Sequence, residues 1–65
     1  MFIDLIGHNK EQLFVNLNNV LYMRPTDKGV EIIMRDGTAL EVDADINGIG
    51  EELLANSLLT VAAPN

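Results

Sequence analysis

Cysteine is absent from this 65-residue chain, so neither a disulfide nor a thiolate metal site can brace it, and the redox compartment leaves no mark on it. Positive charge is scarce. Lys10, Arg24, Lys28 and Arg35 stand against ten acidic residues, a net charge of −6, which opposes binding to a phosphate backbone and makes nucleic acid an unexpected partner. An acidic surface can mimic DNA or attract a basic partner, but acids scattered singly along a chain more often serve solubility. Long apolar runs are missing too. Residues 1–6, Met-Phe-Ile-Asp-Leu-Ile, carry no basic leader and are too short to cross a bilayer, so no membrane partner and a cytoplasmic location are expected. His8 is the single histidine and Ser57 the single serine. Zinc thus lacks ligands, and Ser57 lacks an identifiable activating base, so neither enzymatic activity nor a cofactor is expected.

What is present is apolar surface. Hydrophobic residues make up 48% of the chain, which argues for a packed fold over disorder. The length predicts a single β-rich domain, residues 1–65, near the lower limit for a self-sufficient core, since such domains bury roughly 60% of their unfolded surface. With no disulfide available, association of copies is the expected staple.

The step Asp36-Gly37 predicts a β-hairpin between residues 30–34 and 38–42. A two-residue loop would put Val30, Ile32 and Met34 on the same face as Glu41 and Asp43. A three-residue loop, Arg35-Asp36-Gly37 closed by glycine in the left-handed region, instead pairs Met34 with Thr38, Ile32 with Leu40 and Val30 with Val42. The apolar residues then share a face, and the other carries Glu31, Ile33, Arg35, Ala39, Glu41 and Asp43, with Glu31 opposite Glu41. A first hairpin is expected from residues 2–6 and 12–17, joined by the polar turn 7–11 and pairing Leu5 with Leu13 and Ile3 with Val15. Phe2, Ile6 and Phe14 gather on its second face beside Asp4, Gln12 and Asn16. Asn18-Asn19 breaks the pattern, residues 20–24 form a third strand, and residues 25–29 turn into the fourth.

Residues 46–56 predict a short helix with Asn47 as N-cap, acids in its first turn, and Ile46, Ile49 and Leu53 on one stripe. Residues 58–62 suit a sixth strand, docked on this or a neighbouring subunit, better than a helical extension. The fold class is therefore mainly β (α+β): a five- or six-stranded antiparallel meander or small barrel with one short C-terminal helix. One helix covers only one apolar face, which leaves the other for self-association.

Candidate chemistry is sparse. Asp43, Asp45 and Asn47, followed by Gly48, reproduce the start of a calcium loop, but the twelfth position is Leu54 where a bidentate glutamate belongs, and a strand leads in where a helix should. These residues read better as a strand end and a helix cap, and no metal is assigned. Glu31, Glu41 and Asp43 form a carboxylate cluster on the polar hairpin face, expected to be solvated and partly balanced by Lys28 and Arg35, or to receive a cation or a partner's arginine. Gly48-Ile49-Gly50 lacks the third glycine and the preceding strand of a dinucleotide fingerprint.

The residues Ile6-Gly7, Leu13-Phe14-Val15-Asn16, Val20, Gly29-Val30, Ile32 and Asp36-Gly37-Thr38-Ala39-Leu40-Glu41-Val42 give the chain a pattern that resembles the small flagellar FlbD-type family. Members are of similar length, with a strand, a glycine turn, a strand ending in asparagine and a later glycine-containing hairpin. The likeness covers about two thirds of the chain and implies the hairpin architecture. It departs near the end, where the Gly48/Gly50 segment and an apolar tail replace the family's basic run.

Two functions are expected from these features. The first is a non-catalytic protein-interaction or structural module, a small homo-oligomer that docks on another protein, with Phe2, Ile6, Phe14, Ile33, Leu58, Leu59 and Val61 at its interfaces. The alternative is an oligomer that sequesters a small molecule, as phage-encoded proteins can, in a pocket between subunits built from His8, Tyr22, Met23 and Arg24.

Overall fold

The computed structural model describes residues 1–56, and the expected strand at 58–62 lies outside them. The described chain runs β1 (Phe2–Ile6), β2 (Gln12–Asn16), a 3₁₀ turn (Leu17–Asn19), β3 (Val20–Thr26), β4 (Gly29–Met34), β5 (Ala39–Val42) and α1 (Ile46–Ala55). The strands make two antiparallel sheets, β1-β2 and β3-β4-β5. They do not close into a barrel. A single bridge between Gly7 and Val42 joins them, reinforced by the Asp43 amide donating to the Ile6 carbonyl at 2.7 Å.

Both hairpin registers are those that the hydrophobic pattern predicts. Ile3 faces Val15 and Leu5 faces Leu13 in the first; Val30 faces Val42 and Ile32 faces Leu40 in the second. At the second turn Met34 N–H donates to the Thr38 carbonyl at 2.8 Å, and Gly37 takes a φ of 91°. A side chain at that φ meets steric resistance, so glycine closes the three-residue loop. The inward residues of both sheets, Ile3, Leu5, Val15, Val30, Ile32 and Val42, form one core sealed by Ile49 of α1. Ile46 and Leu53 pack against that core from the same helix stripe.

Two local expectations are corrected, and β3 carries one irregularity that the sequence pattern does not announce. The third strand continues through Pro25 and Thr26, so the turn shrinks to Asp27-Lys28, with Thr26 paired to Gly29. Proline is tolerated there because β3 is an edge strand, where a missing N–H need not break a ladder. Leu21 forms a bulge, as the register shifts between Val20 and Tyr22. The extra residue lets Val20 and Met23 both pack against the core, while Leu21 and Tyr22 stay exposed; strict alternation would not permit this.

The second correction concerns the helix cap, which is Asp45 and not Asn47. Asp45 has extended backbone (φ −101°, ψ 127°), and its carboxylate accepts from the Asn47 amide at 3.2 Å. The cap must precede the first helical residue, which is Ile46. Glu51 and Glu52 consequently fall beyond the first turn, which holds no acid.

Candidate functional site

Two outward surfaces follow from these registers. On the first hairpin, Phe14 lies opposite Asp4, with Phe2 and Ile6 at the flanking pairs. All three apolar side chains reach solvent: Phe2 is 63% exposed, Phe14 65% and Ile6 43%. Between them Gln12 Nε2 donates to both Asp4 carboxylate oxygens, at 3.1 and 3.0 Å. That contact ties the two polar side chains to each other in the middle of the apolar three. Ile33, the other expected interface residue in the described chain, is half-buried on the second sheet. Leu58, Leu59 and Val61 lie outside the described residues.

The outward face of β3-β4-β5 carries two cross-strand rows. One is Tyr22, Ile33 and Ala39; the other is Arg24, Glu31 and Glu41. Glu31 and Glu41 stand opposite each other as expected, but each has its own basic side chain as partner. Arg24 Nε donates to Glu31 Oε1 at 2.6 Å, and His8 Nε2 lies 2.8 Å from Glu41 Oε2. Lys10 Nζ pairs with Asp43 Oδ2 at 3.3 Å. The expected balancing by Lys28 and Arg35 is thus replaced. Arg35 Nε instead donates to the Asn18 carbonyl at 3.0 Å. The reason is tertiary: the Gly7–Val42 bridge brings the first turn alongside β5, and with it His8 and Lys10. No spacing in the sequence announces that meeting.

Of the expected ligand set, His8, Tyr22 and Arg24 belong to this outward side, whereas Met23 pairs with Ile32 and packs against the core. A single copy therefore does not bring the four together. Asp43, Asp45 and Asn47 do not converge either, since the first pairs with Lys10 and the second caps α1. Among the described residues no group of three or more histidines, cysteines and carboxylates is placed to hold a metal ion. At the β4–β5 turn, hydrogen bonds from the Thr38 side chain and backbone hold the Asp36 carboxyl below its usual 3.8.

One feature escaped the sequence reading: an apolar groove of about 340 Å³ between β3 and α1. Leu17, Val20 and Met23 form one wall; Ile46, Ile49 and Leu53 form the other. The helix stripe was legible, but the bulge that turns Val20 and Met23 toward it was not. Among the described residues no helix is long and apolar enough to cross a membrane. Family models, curated proteins and solved structures give no match to the chain.

Proposed function

We propose that this protein is a non-catalytic interaction module that assembles with copies of itself, in the cytoplasm, through the outward face of the β1-β2 hairpin. The observation that carries the reading is the joint exposure of Phe2, Ile6 and Phe14 around one hydrogen-bonded Asp4–Gln12 pair. Covering that face removes apolar area from water, and the Gln12 amide offsets part of the cost of desolvating the Asp4 carboxylate. Two aromatics bury about 150–250 Å² each at most. That falls short of the roughly 800 Å² per partner typical of a stable interface, so association belongs to the weak class.

Sedimentation across a range of micromolar concentrations tests it. The expected outcome is a monomer that converts to a dimer or larger species, and a Phe2→Asp/Phe14→Asp variant that stays monomeric with unchanged circular dichroism. A wild-type chain that remains monomeric throughout removes the proposal.

The alternative, a small molecule held between copies, draws support from His8, Arg24 and Tyr22 sharing one outward side. Native mass spectrometry of protein purified gently from its host separates the two readings: unaccounted small-molecule mass on a defined oligomer favours sequestration, and a ligand-free oligomer favours the interaction module.

A further inference from the structure

A strand at the edge of a sheet offers unpaired amides and carbonyls, which natural chains blunt with proline, bulges or charge. β3 is blunted twice, by Pro25, which has no N–H, and by the bulge at Leu21. β5 and the end of β1 hold each other through the Gly7–Val42 bridge and the bond from the Asp43 amide to the Ile6 carbonyl. β2 has none of these devices. It runs Gln-Leu-Phe-Val-Asn without proline or charge, keeps an unbroken register with β1, and among the described residues has β1 as its sole neighbour in the sheet.

The ladder fixes which groups β2 leaves unpaired. The Gly7 amide donates to the Glu11 carbonyl and the Leu17 amide to the Met1 carbonyl, each at 2.9 Å, one at either end of the hairpin. Hydrogen-bonded and non-hydrogen-bonded pairs alternate along an antiparallel ladder. Ile3–Val15 and Leu5–Leu13 are therefore the bonded pairs, and β2 bonds to β1 through Leu13 and Val15. Gln12, Phe14 and Asn16 point their amides the other way, and no described turn, loop or cap bond takes those amides.

We infer that a second copy adds its own β2 antiparallel to this edge, with Phe14 on the two-fold axis, joining the two hairpins into one sheet. The occupant follows from self-complementarity, which a two-fold interface requires. In that register Phe14 faces Phe14 of the second copy, Leu13 faces Val15, and Gln12 faces Asn16. Aromatic meets aromatic, aliphatic meets aliphatic on the core side, amide meets amide, and no like charges oppose each other. The outward amides of Phe14 gain carbonyl partners, so main-chain bonds supply affinity that the small apolar area alone does not. The inference rests on the reading of the hairpin as the assembling element, and adds that copies meet edge to edge, with the exposed Phe14 rings side by side.

Backbone chemistry tests this, because a chain of 65 residues is within reach of total synthesis. N-methylation of Phe14 removes the amide hydrogen that points away from β1 and leaves every side chain in place. Sedimentation is expected to show association at least about tenfold weaker than in the wild type, because both Phe14 bonds are lost, with unchanged circular dichroism. A mixture of carbon-13-labelled and unlabelled wild-type chains is expected to show an NMR contact between the α-protons of Leu13 in one copy and Val15 in the other. Their Cα atoms would stand about 4.5 Å apart in a non-hydrogen-bonded pair. If the N-methyl chain does not fold, that contact decides by itself, and its absence from an associated wild type overturns the inference. An N-methyl chain that associates as the wild type does, or contacts between copies confined to the Phe2 and Phe14 rings, overturns edge pairing and leaves stacking of the outward faces standing. A wild type that stays monomeric overturns both.

Discussion

Val42 serves the fold twice: its side chain is fully buried, and its carbonyl oxygen occupies the space that a Cβ at position 29 would need. Gly29, at a φ of 151°, is therefore required by a close approach of backbone as well as by conformation. Gly29→Ala is expected to lower stability by more than about 1 kcal/mol, measured by urea unfolding, because the obstructing atom is main chain and cannot swing aside. Gly37→Ala meets no atom within 4 Å and suffers only from its positive φ, so it is expected to cost less. Asp36 contributes through its charge. Its carboxyl titrates lower when folded than the unfolded value of 3.8, chiefly because the Thr38 side chain and backbone donate to it. Its stabilisation is thus fully present above 3.8 and fades as pH falls through the lower folded value. Asp36→Asn keeps an acceptor but cannot titrate. Its urea midpoint is expected to fall less steeply with acid than that of the wild type below pH 3.8, and parallel curves would contradict this assignment.

α1 shows how much of an element depends on its ends. Its N-terminus is capped by the Asp45 side chain and its C-terminus by that of Asn56, with no acid in the first turn and no base in the last. Asp45→Ala is therefore expected to cost about 1 kcal/mol, whereas Asn47→Ala, at a position without the capping role, should stay within about 0.5 kcal/mol; urea midpoints of the two variants decide. Gly48 offers the reverse opportunity. A Cβ there would meet only the Asp45 Cβ at 4.0 Å, an ordinary contact. Gly48→Ala is accordingly expected to stabilise the protein by roughly 0.5–1 kcal/mol, seen as a raised urea midpoint. In the second sheet, the paired acids Glu31 and Glu41 persist opposite each other because Arg24 and His8 flank the row at its two ends. In each pair one partner stays open to solvent, Arg24 at 62% and Glu41 at 48%, and screening keeps each contribution small. Their consequence is to keep like charges tolerable on a face whose register is dictated by Ile32 and Val30 on the other side.

At the scale of the whole molecule, the inward faces of two small sheets share one core with α1, and among the described residues no element packs over either outward face. A chain of this length has little stability to spare, about 3–10 kcal/mol at 0.05–0.15 kcal/mol per residue. Association through the Phe2–Phe14 face would add to that by mass action. The melting temperature is therefore expected to rise with protein concentration, and the Phe2→Asp/Phe14→Asp variant is expected to lose that dependence. A concentration-independent melting temperature in the wild type would count against the assembly.

Periodicity and turn chemistry alone determined the two hairpins. A one-residue slip would expose Ile32 and Val30, and Gly37 relieves the one backbone angle that the three-residue loop demands. The stripe Ile46, Ile49 and Leu53 was legible for the same reason, as were the outward positions of Phe2, Ile6 and Phe14. The tertiary structure decided what local pattern does not encode. The bulge at Leu21 reassigned Val20 and Met23 to the core side, and the Gly7–Val42 bridge carried His8 to Glu41 and Lys10 to Asp43 across more than thirty residues of sequence. Alternation specifies which face a side chain takes within a strand. Which strands and turns then meet depends on how the two sheets bury their inward faces together, and that is settled only when the whole core closes.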